Sequence, residues 1–413
     1  MINSPPPPPP VDIIIPVYRD LAVTRRCVES VLAHTPADLG QVILVDDASP
    51  EAELSAWCDE LMGSSAGSAS PEGEWPDNGR VRLLRNASNL GFVASVNRGM
   101  AHSGERDVVL LNSDTVVPPN WLERLRRCAY SADDIATVTP FSNNATICSY
   151  PFFCQSAPLP DGLDLPQMDA LFARANAGQS LEIPTAVGFC MYIRRACLDR
   201  IGLFDAERYG RGYGEENDFS RRAAAQGWRN LLCADLFVFH QGAVSFGEDR
   251  FALMTAAEAL LDERYPSYRA TIADFVAADP ARPLRNAVDR LRLDVPGQAP
   301  VVMAELQAAR DGLYQRIPPL EAEIAAYAAR CAEYERQLQM ARDDYAESSA
   351  RYQQQLDEVR GHFAATDHAL GEAQRIVADA QQRIQLLGDE LDSIKNSRTW
   401  RLRCWLRQLV DKS

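Results

Sequence analysis

The chain has 413 residues and a formal net charge of -15. It exceeds the roughly 250–300 residues at which a single core stops growing, so one sizeable domain plus a further part is expected. Its acidity excludes general nucleic-acid binding, which needs a basic face to release counterions. Ten cysteines stand singly with no C-x-x-C pair, so no zinc module is spelled out and reduced thiols in a cytoplasm are expected. No apolar run reaches the roughly 18–20 residues that span a bilayer, and the start lacks a signal peptide's charged and apolar regions. A cytoplasmic protein follows.

Residues 1–10 end in six consecutive prolines and read as a disordered, extended arm. Residues 11–16 (V-D-I-I-I-P) are β-branched and closed by Pro16, a buried strand, with Val17 and Tyr18 at its exit. Residues 21–34 have helical spacing. A second strand, 41–45, ends in Asp46 and Asp47, and this β-α-β order predicts parallel pairing with a right-handed crossover. After a helix near 51–61 comes a Ser-, Gly- and Pro-rich loop at 63–79. A third strand, 81–84, leads into Asn89, Gly91 and Asn97 around a short helical pattern. Its glycines suit close approach of the backbone to a ligand, or an ordinary turn and C-cap.

Residues 108–112 form the fourth strand and end in Asn112, Ser113 and Asp114. In an open α/β sheet, ligands sit beyond the carboxyl ends of the strands, so Asp114 points toward a metal or a diphosphate; capping of the turn before Pro118 is the plainer role. A helix starts near 119–121, periodicity is weak over 145–184 apart from a helix near 167–176, and residues 187–194 give another buried strand. Glu215, Glu216 and Asp218 place three carboxylates in four positions at the start of a helix expected over 218–226. The helix dipole favours them, but they repel one another, which raises a pKa or attracts a cation unless the start is simply solvated. A last strand, 231–239, leaves His240 at its end, a ligand position unless the ring is structural.

Over residues 11–249 these pieces, in this order, resemble the inverting glycosyltransferases of family 2. The resemblance implies an α/β fold of the GT-A type: a Rossmann-like, mostly parallel central sheet with helices on both faces. It implies that Pro16, Val17 and Tyr18 line a nucleoside pocket, and that one of Asp46 and Asp47, favouring Asp47, bonds the base. Asn89, Gly91 and Asn97 would back the donor. Asn112, Ser113 and Asp114 stand where the family has D-x-D, so Asp114 alone offers charge to a metal, with His240 completing the site. Gly188 falls beside the sugar. The general base lands on Glu216, with Glu215 and Asp218 as substitutes. The implied cofactor is Mn²⁺ or Mg²⁺, the donor a UDP-, dTDP- or GDP-sugar, and the acceptor a glycan or lipid-linked hydroxyl in cell-surface polysaccharide assembly.

Residues 11–275 are thus expected to form the GT-A domain, and 276–319 a linker or helical connector. From Leu320 a heptad seam runs through Ile324, Tyr327, Cys331 and Tyr334, steps by four at Tyr352 to Leu356, and continues to Ile394. Pro318 and Pro319 suit a helix start, and residues 320–396 then form a coiled coil about 110 Å long. A parallel homodimer is expected, with an antiparallel fold-back or a single helix as alternatives. Residues 397–413 interleave Arg and Lys with Trp400, Leu402, Trp405, Leu406 and Leu409, a basic amphipathic tail suited to peripheral contact with an anionic membrane, or to capping the coil or docking another protein. The competing function is a weakly active or inactive donor-binding scaffold that oligomerises through its coil, in keeping with Asn112 and with Glu where Asp is usual.

Overall fold

The computed structural model describes residues 9–63, 79–242, 250–345 and 349–396. Most of the proline arm, most of the Ser/Gly/Pro-rich loop and the basic tail lie outside them. In chain order the first half holds β1 (Val11–Val17), α1 (Leu21–His34), β2 (Gly40–Asp46), α2 (Ala52–Met62), β3 (Val81–Arg85), α3 (Phe92–His102), β4 (Asp107–Leu111), β5 (Thr115–Val116), α4 (Trp121–Ala129) and β6 (Ile135–Phe141). There follow α5 (Leu165–Ala175), β7 (Ser180–Ile183), β8 (Cys190–Ile193), α6 (Arg195–Ile201), α7 (Ala206–Tyr209), α8 (Glu215–Ala224), β9 (Arg229–Phe237) and β10 (Phe239–His240). The chain ends in helices: α9 (Arg250–Arg264), α10 (Tyr268–Ala278), α11 (Arg282–Arg292), α12 (Gln298–Tyr345) and α13 (Ser349–Asn396). It divides into two units, Met1–Arg292 and Leu293–Ser413.

The first unit is built on an eight-stranded sheet in the order β3-β2-β1-β4-β8-β6-β9-β7. β1 pairs in parallel with β2 and β4, β2 with β3, and β6 with β9; β8 and β7 run antiparallel to their neighbours. Ile13, Ile14 and Ile15, Val42 to Val45 and Val108 to Leu111 are all buried, as central strands covered on both faces must be. The chain leaves β1 toward β2 and β3 and returns on its other side at β4. That reversal opens a crevice beyond the carboxyl ends of β1 and β4, where Tyr18 and Asn112 to Asp114 lie.

β6 is a central strand that the sequence pattern did not mark. All seven of its residues are buried, but Thr137, Thr139 and Pro140 interrupt the apolar run, and proline normally argues against a central strand. Here the register against β9 shifts just after Pro140. The expected strand over 187–194 is shorter as β8, which leaves Gly188 and Phe189 free to turn at the sheet's mouth.

Two expectations for the second half are corrected. The segment taken as a connector contains α11, whose Arg292 is fully buried and donates to the Tyr150 hydroxyl at 2.7 Å, so α11 belongs to the first unit. The heptad stretch is not one continuous helix starting at the prolines. Pro318 and Pro319 lie inside α12, where each removes one backbone bond. α12 and α13 pack on each other. Three residues separate helices that are each about 72 Å long, so the pair is an antiparallel hairpin. The seam positions Cys331, Thr366, Ala373, Ala380 and Ile384 are buried in it, while Ile324, Tyr327, Phe363, Leu370, Val377 and Leu387 are half-buried.

Candidate active site

Four chain segments converge beyond the carboxyl ends of β1 and β4. The tightest convergence joins Asp114 to His240. The short ladder between β5 and β10 sets His240 opposite Thr115, so the ring lies beside the residue before it: His240 Nε2 is 3.2 Å from Asp114 Oδ1. The backbone amides of Gln241 and Gly242 donate to the Asp114 carbonyl and to Oδ2, both at 2.9 Å, and Asp114 is buried. The other ring nitrogen, Nδ1, is 2.7 Å from the Asn144 carbonyl. A carbonyl only accepts, so Nδ1 carries the proton and Nε2 directs its remaining valence at Asp114.

A neutral imidazole nitrogen and a carboxylate oxygen 3.2 Å apart are two electron pairs facing each other. They are reconciled by a proton on the ring or by a cation between them. Ligands held about 2.0–2.2 Å from a six-coordinate ion sit roughly 3 Å apart, so the pair fits two positions of a divalent cation. The carbonyl behind Nδ1 is the outer-shell bond that fixes a ligating histidine. Asn112 Nδ2 approaches the same Nε2 at 3.5 Å; as an amide it offers a cation at most a neutral oxygen. Among the described residues no group of three or more His, Cys, Asp or Glu side chains could hold a metal ion.

Gly188 and Phe189 connect this pair to the acidic helix start. The Phe189 carbonyl accepts from the Asn112 amide at 2.9 Å, and its ring stacks on His240, with centroids 5.1 Å apart. A Cβ built on Gly188 would lie 3.8 Å from Glu216 Cγ. Gly188 is thus next to Glu216.

The acids of α8 differ sharply in their partners. The expected start at Asp218 is moved back one turn, to Glu215. Asp218 is fully buried and receives Arg222 Nε at 2.7 Å, Arg264 at 2.8 Å and the Tyr265 hydroxyl at 2.9 Å. Both of its oxygens are occupied, which corrects its place among the catalytic candidates: it anchors the helix. Glu215 and Glu216 receive no such help. Among the described residues the Oε2 atom of each is shielded and has no hydrogen-bond partner. Burial raises the pKa of both carboxyls; the Glu216 charge raises Glu215 further, while the amides of the first helical turn pull Glu216 part of the way back.

The donor-side residues are largely braced by one another. Asp46 is closed off by Arg85 at 2.8 Å and by the Ser49 amide. Asp47 accepts from Asn86 and from the Leu90 and Gly91 amides, each at 2.8 Å, and so holds the loop that leads into α3. Asn97 grips the Phe204 backbone through both ends of its amide, at 2.8 and 3.1 Å. Asn89 accepts from Arg211 at 3.2 Å. At this corner Pro16 and Tyr18 are half-buried and Val17 is buried; the Arg19 guanidinium lies over the Tyr18 ring. Ser113 is half-buried beside Asp114.

Gly91 is a glycine that no other residue replaces. Its φ of 87° and ψ of 171° lie in a region open essentially to glycine alone, and an added Cβ would stand 2.8 Å from Arg211 Cα. Gly91→Ala is expected to lower stability by about 1–3 kcal/mol, read as an earlier urea midpoint with an unchanged slope. A midpoint equal to that of the parent chain would show that the loop relaxes freely.

With this geometry in hand, the comparisons are informative. Residues 12–202 match the model of glycosyl transferase family 2. The match supports a glycosyltransferase domain of that family. It runs from β1 to the residue after α6, so it includes Asp46, Asp47, Asp114 and Gly188 and stops before α8 and His240. The chain is 35% identical over 116 residues to an uncharacterized protein of Sinorhizobium fredii, covering 28% of this chain and 11% of that protein. It is 27% identical over 190 residues to an N-acetylglucosaminyl-diphospho-decaprenol L-rhamnosyltransferase of Mycobacterium tuberculosis, covering 41% of this chain and 61% of that one. A crystal structure of GalNAc-T7 with UDP, GalNAc and Mn²⁺ superposes with a TM-score of 0.46 at 17% identity, over 74% of this chain and 55% of that one. The chain therefore spans less than two thirds of the length of each. Among the described residues no helix is long and apolar enough to cross a membrane.

The residues missed by sequence reasoning are mainly those that hold the acids in place: Thr185, Asn217, Arg264, Tyr265 and Tyr268. Asn217 stood inside the acidic run but carries no charge. The two tyrosines lie about 50 residues further on, at no spacing that links them to it.

Proposed function

We propose that the first unit is an inverting glycosyltransferase that moves a sugar from a nucleotide-sugar to an acceptor hydroxyl on a glycan or lipid-linked saccharide, in cell-surface polysaccharide assembly. The observation that carries the reading is the pairing of two unlike devices at one sheet rim. Asp114 and His240 offer a place for a cation, and across Gly188 stand two carboxyls, Glu215 buried and Glu216 half-buried, whose shielded Oε2 atoms have no partner among the described residues.

The chemistry requires both. A divalent ion held by Asp114 and His240 would supply positive charge against the diphosphate leaving group. Glu216 takes the proton of the acceptor hydroxyl as its oxygen attacks the anomeric carbon; the bond to the diphosphate breaks on the opposite side, and the centre inverts. Glu215 keeps a second carboxyl beside the base without adding a counter-ion. The chain's similarity to the mycobacterial enzyme, whose name gives a lipid diphosphate acceptor, supports a lipid-linked saccharide among the acceptors to be tried.

The test is a melting screen of the full chain against UDP-, dTDP- and GDP-sugars with Mn²⁺. A ligand at about 100 times its dissociation constant adds about 2.7 kcal/mol to stability, a rise of several degrees. One nucleotide class raising the melting point only when Mn²⁺ is present, followed by release of the matching nucleoside diphosphate, is the expected result. A flat response across all three classes would remove the reading.

A further inference from the structure

The side-chain bonds around α8 hold the two residues that follow Glu216, an acid whose Oε2 atom has no partner among the described residues. Asn217, next to Glu216, accepts through a single oxygen from two directions: the Thr185 hydroxyl at 2.9 Å and the Tyr268 hydroxyl at 2.7 Å. Thr185 opens the segment that carries Gly188, and the next residue, Ala186, donates its amide to the Ser220 hydroxyl at 3.1 Å. On the far side, Asp218 is gripped by Arg264 and Tyr265. The segment 185–188 and the end of α9 with the start of α10 thus clasp the first turn of α8 from two sides. The residues they grip, 217 and 218, directly follow Glu216, whose Oε2 atom has no donor among the described residues.

We propose that Tyr268, acting with Thr185 through Asn217, is a positioning residue that holds the Glu216 carboxylate beside Gly188 and keeps water from it. This inference rests on the proposed glycosyl transfer and adds to it a requirement for α10, which lies beyond the part of the chain that matches the family model. The two hydroxyls meeting on one amide oxygen fix the rotation of the turn, as a single bond would not. The Glu216 carboxylate lies near enough to Tyr268 to raise the phenol's pKa, an effect second only to burial. The titratable and charged groups facing this turn are Glu215 and Asp218 on α8, Tyr209 on α7, Tyr265 and Tyr268 from the α9–α10 side, and Arg221, Arg222 and Arg264. The arginines bonded to an acid here, Arg222 and Arg264, both go to Asp218.

The experiment uses the full chain and the variants Tyr268→Phe and Asn217→Ala, with Thr185→Ser as the conservative control that keeps its hydroxyl. In the first arm, ¹³C-carboxyl spectra of glutamate-labelled protein are titrated, and the Glu216 signal is assigned by its disappearance in Glu216→Gln. Tyr268→Phe should lower the Glu216 midpoint toward the ordinary glutamate range, because the loosened turn admits water; Thr185→Ser should leave it in place. An identical midpoint in Tyr268→Phe and the parent chain overturns the proposal. In the second arm, with the nucleotide-sugar found in the melting screen, Tyr268→Phe and Asn217→Ala should each lower kcat about 10-fold or more while the donor KM stays within about twofold. Unchanged kcat, or KM rising in step as kcat falls, overturns it as well. If the parent chain turns over no nucleotide-sugar, glycosyl transfer is rejected, and the first arm still decides whether Tyr268 holds Glu216.

Discussion

Glu216→Gln is expected to lower kcat by about 10²–10⁴-fold, the usual contribution of a positioned general base, while the Kd for the nucleotide-sugar stays close to that of the parent chain. The amide matches the carboxylate in shape and cannot take a proton. It also relieves the repulsion with Glu215, so the variant should fold at least as well. The pH profile follows from the direction of the shift. A base works only when ionised, and burial raises the Glu216 pKa above 4.5. The acid limb of kcat/KM in the parent chain should therefore fall above pH 4.5, with activity lost as pH drops through it. In Glu216→Gln the residual rate should lose that limb. Equal losses in donor affinity and in turnover would instead place Glu216 in the donor pocket.

Asp114→Ala is expected to abolish the Mn²⁺-dependent part of donor binding. Altering an outer-shell partner of a metal ligand typically costs 10–100-fold in affinity or activity, and removal of a direct ligand should cost at least that much. The substitution also removes the carboxylate beside His240 Nε2 and takes the partner from the Gly242 amide, so His240→Ala and the double variant belong in the same series. If both residues act on one ion, the second substitution adds little once the first is made. Titration of nucleotide-sugar by Asp114→Ala that is unchanged in the presence of Mn²⁺ would remove Asp114 from the site.

The helical second unit qualifies the scaffold alternative. Its heptad periodicity is real, and the buried residues Cys331, Thr366, Ala373, Ala380 and Ile384 all lie on the seam read from the sequence. The seam's small residues let two helices of one chain approach closely, and the short link between α12 and α13 makes the partner helix available at high local concentration. The hairpin buries part of the stripe within one chain and leaves Ile324, Tyr327, Phe363, Leu370, Val377 and Leu387 half-buried.

Much of the first unit was legible because short-range chemistry acts through fixed periods. The β-branched runs at residues 11–16, 41–45 and 108–112 have few options other than buried parallel strands, and helical spacing alone marks α1 from Leu21 to His34. Polar residues placed where an apolar strand stops, such as Asp47, Asp114 and His240, mark the rim of the sheet where the candidate site lies. β6 escaped notice because a proline and two threonines break its apolar run, and those are tolerated only through packing and a register shift against β9.

What the sequence determined by itself was which residue types stand at which strand ends, because that depends on neighbours along the chain. Partnership was decided by the tertiary structure. Asp218 resembles its neighbours in sequence, yet arginines from α8 and α9 neutralise it; the Oε2 atoms of Glu215 and Glu216 have no partner among the described residues, and Asp114 meets His240 only because β5 and β10 pair. The physical reason is that a carboxylate's pKa and use depend on the dielectric and charges within a few ångströms, and those surroundings come from segments as many as 128 residues away along the chain.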